Sequence, residues 1–423
     1  MSDDVVEVLQ RTFPKSVQPG LPKLKPPKPG WKSYRFGELL EQVQRRVHLQ
    51  PDETYDLVTV KRSRGGIESR GRLRGSQISV TSQFRIVEGD FLISKRQIVH
   101  GACGVVSSEF DGAVVSNEYS VLRCKPNIDL AFLQYLSHSV YFQQTCFHSS
   151  IGVHIEKMIF KLDEWLKWPV NIPSLPEQQK IAAFLGAVDA KLSVLTAKQA
   201  ALGRFKAGLM QKLFSQKLRF TRDDGKAFPE WQERRLGDFC DALSGFPVSG
   251  EDILEVGTAT RLMRGANISE GAIRRSADLD RFFGGSVHGL DRFFLKVGDV
   301  VIGMDGSKVG KNVATIGPSD AGSFLIQRVT RLRNYGKNDL RFVYQHVTSP
   351  RFRQYVDVVN TSSGIPHISL KQIRDFEIPM PHPDEQKRIA DALSTIDTKI
   401  QAVADQVTKL QTFKKGLLQQ MFV

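Results

Sequence analysis

Cysteine is scarce in this 423-residue chain: there are four, Cys103, Cys124, Cys146 and Cys240, and no two form a C-x-x-C pair. A zinc ribbon and a dithiol redox site are therefore excluded, and the four read as reduced core thiols. Nine histidines occur without an H-E-x-x-H pattern, which leaves no metal site to expect. No G-x-G-x-x-G turn follows a strand, and the Asn-Pro-Pro-aromatic sequence with which amino-methyltransferases hold a flipped base is missing. The longest stretch without Asp, Glu, Lys or Arg runs between Asp129 and Glu156. Its Gln134, Ser137, His138, Gln143, Gln144 and His148 make it too polar for a bilayer span, so it reads as an amphipathic helix followed by a polar loop, and no membrane partner is expected. The start, Met1-Ser2-Asp3-Asp4, lacks the basic-then-apolar order of a secretory signal and predicts a cytoplasmic address.

Acidic residues are also in deficit, 45 Asp and Glu against 59 Lys and Arg, giving a net charge of +14 and a pI near 9.6. That balance favours a polyanionic partner. With 41% hydrophobic and 25% charged residues the composition is that of a globular protein, and the length suits about three structural units.

The chain repeats itself. Glu177 to Phe214 aligns without gaps on Glu385 to Phe422, an offset of 208, with 14 of 38 positions identical, among them Gln178/Gln386, Asp189/Asp397, Lys206/Lys414 and Phe214/Phe422. A thinner echo lies upstream: Trp31 answers Trp231, Gly89-Asp90 answers Gly298-Asp299, Leu122-Arg123 answers Leu332-Arg333, and Asp129 and Ser139 answer Asp339 and Ser349. The order is globule, long helix, globule, long helix.

Both helices carry a coiled-coil seam. Ile181, Leu185, Val188, Leu192, Leu195, Gln199 and Leu202 step by four and three in the first, and Ile389, Leu393, Ile396, Ile400, Val403, Val407 and Leu410 do so in the second. Phe205 and Phe413 follow three residues later, where a local overwinding or a new contact is expected. Ser174 with Glu177 predicts a capping box, and Pro383-Asp384-Glu385 suits the positive end of a helix dipole. A 38-residue helix is roughly 57 Å long. A lone helix would expose its stripe, so the two copies are predicted to pair antiparallel.

The globules read as α+β. Strands are predicted at Tyr55 to Val60, Phe91 to Ser94, Gly112 to Val115, Val300 to Gly303 and Asn312 to Ile316, and helices near Asp129 to Phe147 and Asp339 to Tyr355. The boundaries follow: an extended basic, proline-rich arm over 1–30, a first globule over 31–172, a helix over 173–214, a polar linker over 215–230, a second globule over 231–379 and a helix over 380–423. The arm is left with two roles, contact with DNA or with the carboxy-terminal helix.

The densest basic run places Lys61, Arg62, Arg64, Arg70, Arg72 and Arg74 among glycines, a composition suited to close approach to a duplex. Arg261, Arg264, Asn267, Arg274 and Arg275 occupy a comparable place in the second globule. Gly306-Ser307-Lys308-Val309-Gly310-Lys311-Asn312 is one residue short of a nucleotide-binding loop and has Asn where Ser or Thr would reach magnesium, so Lys308 and Lys311 are assigned to a DNA backbone instead. Pro383-Asp384-Glu385-Gln386-Lys387 imitates a nuclease motif, but its carboxylates open a helix and read as caps. No catalytic residue is assigned.

With Leu175-Pro176-Glu177-Gln178-Gln179-Lys180-Ile181-Ala182 and Pro383-Asp384-Glu385-Gln386-Lys387-Arg388-Ile389-Ala390 opening the helices, Lys217-Leu218-Arg219-Phe220 and Phe228-Pro229-Glu230-Trp231 in the linker, and Gly-Asp turns at Gly89 and Gly298, the chain resembles the specificity subunit of a type I restriction-modification enzyme over nearly its whole length. The resemblance implies a non-catalytic reader used in defence against foreign DNA. Each globule would be a target recognition domain for one half of a split, asymmetric sequence in double-stranded DNA, and the paired helices would fix the spacer. Two methyltransferase subunits would dock and supply S-adenosylmethionine, and motor-nuclease subunits would bring ATP and magnesium; this chain itself would hold no cofactor. The alternatives are a self-contained nuclease or methyltransferase and a non-specific DNA-binding coiled-coil scaffold.

Overall fold

The computed structural model describes residues 21–257, 260–334, 336–360 and 366–422. The chain divides into two compact units. One comprises residues 1–197 with 404–423, and the other residues 198–403.

Each unit is built on the same frame. In the first, an antiparallel sheet runs in the order Leu40–Gln42, Tyr119–Cys124, Phe91–Ser94, Cys103–Val105; in the second the order is Cys240–Ser244, Val329–Asn334, Val300–Gly303, Val313–Thr315. A two-stranded ribbon accompanies each, Lys32–Arg35 with Pro169–Ile172 and Gln232–Arg235 with Glu377–Met380. The strands predicted at Phe91–Ser94 and Val300–Gly303 have those bounds, and all eight of their residues are buried. Gly89 and Gly298, at φ +85° and +87°, turn the chain so that Asp90 and Asp299 accept the N–H groups of Val87 and Lys296. The same carboxylates hold arginines: Asp90 binds Arg45 at 2.7 Å with Arg123 at 3.7 Å, and Asp299 binds Arg333 at 2.7 Å.

Where one helix was expected over Asp129 to Phe147 there are two, Leu130–Leu136 and Val140–His148, and the second globule likewise has Leu340–Val347 and Pro350–Val359. The repeated serine is the cause. Ser139 accepts the N–H of Phe142 and Ser349 that of Phe352, each starting a new helix, while Asp129 and Asp339 cap the preceding one.

The long helices are Leu175–Phe214 and Pro383–Met421. Within the first unit, Ile181, Ala182 and Leu185 share a core with Leu417, Leu418, Met421 and Phe422; within the second, Ile389, Ala390 and Leu393 share one with Leu209, Met210, Leu213 and Phe214. The start of each helix thus meets the end of the other, an antiparallel pairing. Polar contacts repeat with it: Lys414 binds Asp189 at 2.6 Å, with Tyr135 donating to the same carboxylate, and Lys206 binds Asp397 at 2.7 Å, with Gln345 donating. None of the thirteen apolar seam residues is exposed. Ile181, Leu185, Val188, Leu195, Ile389, Leu393, Ile396 and Val403 are buried, and Leu192, Leu202, Ile400, Val407 and Leu410 are half-buried. Phe205 and Phe413, by contrast, stay exposed, and the neighbouring Lys206 and Lys414 reach across.

Helix starts are fixed by side chains other than simple caps. Glu385 is fully buried and accepts from Trp231 Nε1 at 3.0 Å and Arg219 Nη2 at 3.0 Å, so it is an internal anchor and not merely a dipole cap. Glu177 accepts from Trp31 Nε1 at 3.2 Å instead of closing a box with Ser174. Gln178 accepts the Asp129 N–H and donates to Asn127 and Pro173 carbonyls; Gln386 accepts the Asp339 N–H and donates to Asn338 and to the Pro381 carbonyl. Of the arm expected over 1–30, residues 1–20 lie outside the described residues; 21–28 carry no helix or strand, Pro29-Gly30 form a turn, and Lys28 Nζ donates to the Gln420 and Met421 carbonyls, placing this part of the arm on the carboxy-terminal helix.

Replacing either glutamine by alanine leaves buried polar groups unpaired. Gln178→Ala and Gln386→Ala should each lower unfolding free energy by about 1–3 kcal/mol, read by urea titration. Burial pushes the imidazole of His346 down to about 3, helped by Arg351, and burial with Arg64 and Lys414 pushes His138 down to about 4. In the unfolded chain both take a proton near pH 6.5, so the unfolded state binds more protons below that pH. Stability should therefore fall as pH drops from about 6.5 toward 4, and His346→Phe, which preserves the stack on Phe214, should flatten that dependence.

Candidate nucleic-acid interface

Beyond the shared frame the globules differ. The first carries a five-stranded sheet in the order Arg46–Val47, Gln83–Arg85, Val114–Ser116, Thr54–Val60, Ile67–Arg74 over its own small core. The second has instead a sheet ordered Ile253–Leu254, Phe282–Phe283, Thr260–Met263, Phe324–Leu325, with a phenylalanine-rich core around Phe324.

The basic run of the first globule folds as a hairpin. Lys61 to Gly66 form its turn, and Ile67–Arg74 is an edge strand paired with Thr54–Val60. Its register skips Arg70, and Gly71 sits at φ +91°, a bulge of the kind that re-aims side chains at sheet edges. Arg72 and Arg74, two apart, share a face. Lys61, Arg62, Arg70, Arg72 and Arg74 are exposed. Lys61 pairs with Glu68 at 2.5 Å, Arg62 with Glu156 at 2.7 Å and Arg72 with Asp56 at 3.0 Å, whereas Arg70 and Arg74 have no acidic partner among the described residues. Arg64 departs from the group. Its backbone is left-handed (φ +61°), its N–H is held by the Gly101 carbonyl, and its half-buried guanidinium lies near Cys103 and Cys146, where burial lowers its pKa. Its side chain thus packs partly against the core of the first globule.

In the second globule a cleft of about 590 Å³ gathers Arg264, Arg274 and Lys308 with Arg328, Gln327 and Asp305. Arg328 was not legible as a site residue: it opens a stretch with Arg331, which is buried, and Arg333, which pairs with Asp299, and only its left-handed backbone (φ +68°) and its bond to Asp305 at 3.0 Å bring it here. Two expected residues are committed elsewhere. Asn267 is buried, accepts the Arg264 N–H and donates to the Arg274 carbonyl, so it builds the loop; Arg275 is paired with Asp320 and Asp280. Arg261 is half-buried, with its Nε enclosed. Lys311 is exposed but faces a separate, more apolar cleft of about 690 Å³ with Tyr344, Phe214 and Met210. Charge alone cannot separate an arginine that holds a loop from one that faces solvent.

Among the described residues no cluster of three or more His, Cys, Asp or Glu could hold a metal, and no helix is long and apolar enough to cross a membrane. Burial pushes the Cys103 thiol up to about 11 and those of Cys124 and Cys240 to about 12, so none is poised as a nucleophile.

Residues 29–204 and 229–411 each match the model of the type I restriction modification DNA specificity domain. The type I restriction enzyme MjaVIII specificity subunit of Methanocaldococcus jannaschii is 24% identical over 410 residues, covering 92% of this chain and 91% of that protein. The EcoAI specificity subunit of Escherichia coli is 32% identical over 185 residues, 42% of this chain and 30% of that protein. Among solved structures, the type I restriction-modification S subunit from M. genitalium is similar with a TM-score of 0.60 at 16% identity, covering 96% of this chain and 99% of that one. A chain from a type I restriction-modification system, solved in a study of complex assembly and conformational transition, gives 0.55 at 19% identity, covering 93% and 98%. A frame built twice, each copy carrying its own basic surface, together with a family match over both halves, means that this chain belongs to the type I restriction-modification DNA specificity family.

Proposed function

We propose that this chain is the non-catalytic DNA-reading subunit of a type I restriction-modification complex, each globule reading one half of a split, asymmetric duplex target. The observation that carries the reading is the contrast between the two copies: one frame, repeated to the level of its buried ion pairs, bears two unrelated distal sheets, each with exposed arginines. A palindromic or non-specific binder has no use for two different surfaces. In the first globule Arg70, Arg72 and Arg74 on the edge strand are the leading contacts, with Lys61 and Arg62 beside them. In the second, Arg264, Arg274, Lys308 and Arg328 take that role. The paired helices set the separation of the half-sites and, with the frame, carry two methyltransferase subunits; motor-nuclease subunits join in the full cytoplasmic complex. S-adenosylmethionine, ATP and magnesium belong to those partners.

Co-expression with a cognate methyltransferase subunit, followed by mapping of N6-methyladenine across host DNA, tests the reading: one split motif should appear, and exchanging one globule should change one half alone. Methylation without a motif would contradict it. Binding through about six phosphates should weaken with salt at a log–log slope near −5. Arg72→Ala or Lys308→Ala should reduce that slope by about 1 with the urea midpoint unchanged, whereas Asn267→Ala should cost about 1–3 kcal/mol of stability because it breaks the loop from within.

A further inference from the structure

The globules differ in their distal sheets, yet one short pattern recurs in both: Ser149-Ser150-Ile151-Gly152-Val153-His154-Ile155 and Ser362-Ser363-Gly364-Ile365-Pro366-His367-Ile368. In the first globule this segment forms a small hairpin, Ser150–Ile151 pairing with Ile159–Phe160, and its tip puts aliphatic side chains into solvent. Val153 is 96% exposed, Ile151 64% and Ile159 39%. The tip is well held. Phe160 is buried, a Cβ at Gly152 would come within 2.9 Å of Met158 Cα, and Glu156 binds Arg62 at 2.7 Å and lies 3.1 Å from His100 Nε2. Those contacts set the apolar tip beside the basic turn Lys61 to Gly66.

A rigid aliphatic tip next to a run of cations matches a partner with apolar surface between two lines of negative charge. A DNA groove has that form, with base edges between phosphate strands, and apolar side chains inserted there unstack and kink the duplex. A protein partner of the same charge would need an acidic, apolar patch, whereas DNA is already the ligand of this face under the half-site reading, on which the inference rests. Only Ser-Ser and His-Ile recur between the two segments, and Gly364 and Pro366 stand where Ile151 and Val153 stand, so the aliphatic tip belongs to the first globule alone. We infer that Ile151 and Val153 form a wedge that enters a groove at the half-site of the first globule and opens the stack there. Arg62 and Lys61 hold the flanking phosphates while it does so.

The test uses the complete complex with methyltransferase subunits. Ile151→Ser combined with Val153→Ser removes the wedge without touching the core; Val358→Ser, an exposed valine of the other unit, is the control. Dyes flanking the first half-site report bending, and 2-aminopurine beside its target adenine reports unstacking. The double variant should assemble and bind the split target, lose both signals, and methylate the first half-site about tenfold more slowly while the second is unaffected, since opening a base step takes a few kcal/mol. Unchanged bending, unstacking and rate would overturn the wedge. So would failure of the variant to retain methyltransferase subunits on size-exclusion chromatography, which would give the tip to a protein partner. If the wild-type complex recognises no split target, the half-site reading falls first and the wedge with it.

Discussion

The structure depends on the antiparallel pairing of two long helices that are copies of each other. An amphipathic helix of forty residues is unstable in water by itself, because its apolar stripe has nowhere to go. Pairing antiparallel copies buries the stripe and at the same time places the start of one helix beside the end of the other inside each unit. The same lysine and aspartate then meet twice, Lys414 with Asp189 and Lys206 with Asp397. Each ion pair is partly exposed and worth little in stability. Its value lies in register, since a slip by one turn would part both pairs at once.

Anchored on those helix starts, the frame of each globule is a consequence of a few buried polar groups. A tryptophan donates to the first-turn glutamate, the adjacent glutamine holds the N-cap aspartate of the neighbouring short helix, and a Gly-Asp turn collects an arginine. Glu177 is exposed, but Gln178 and Gln386, Asp90 and Asp299 are buried in both copies, and buried polar groups are costly when unpaired, which explains why these recur while the surface changes. The distal sheets carry no such obligations beyond their own cores, and they differ in strand number, order and aromatic content.

Much of the frame was legible in the sequence because its signals are periodic and repeated. The seam residues, the helix pair and the buried strands at Phe91–Ser94 and Val300–Gly303 follow from spacing alone. The break after Leu136 was missed because the residues on either side continue the apolar pattern; the Ser139 cap, a single hydroxyl, decides it. Glu385 read as a dipole cap because its partners Arg219 and Trp231 lie more than 150 positions away in the chain. The interface was the least legible part. Arg64, Asn267 and Arg275 have the right chemistry for DNA but are held by a left-handed backbone, a loop hydrogen bond and two aspartates, and nothing in the sequence separates Arg328 from its neighbours Arg331, which is buried, and Arg333, which pairs with Asp299. Burial and pairing are tertiary properties, and composition does not encode them locally.

Under the proposed function the two globules meet different halves of one duplex. A photoreactive amino acid placed at Arg72 or at Lys308, in complexes bound to the methylated split motif, tests this directly. Cross-links from position 72 should fall in one half of the motif and those from position 308 in the other, with the spacer between them left unmarked. Cross-links from both positions in the same half, or spread evenly along unrelated DNA, would contradict the account.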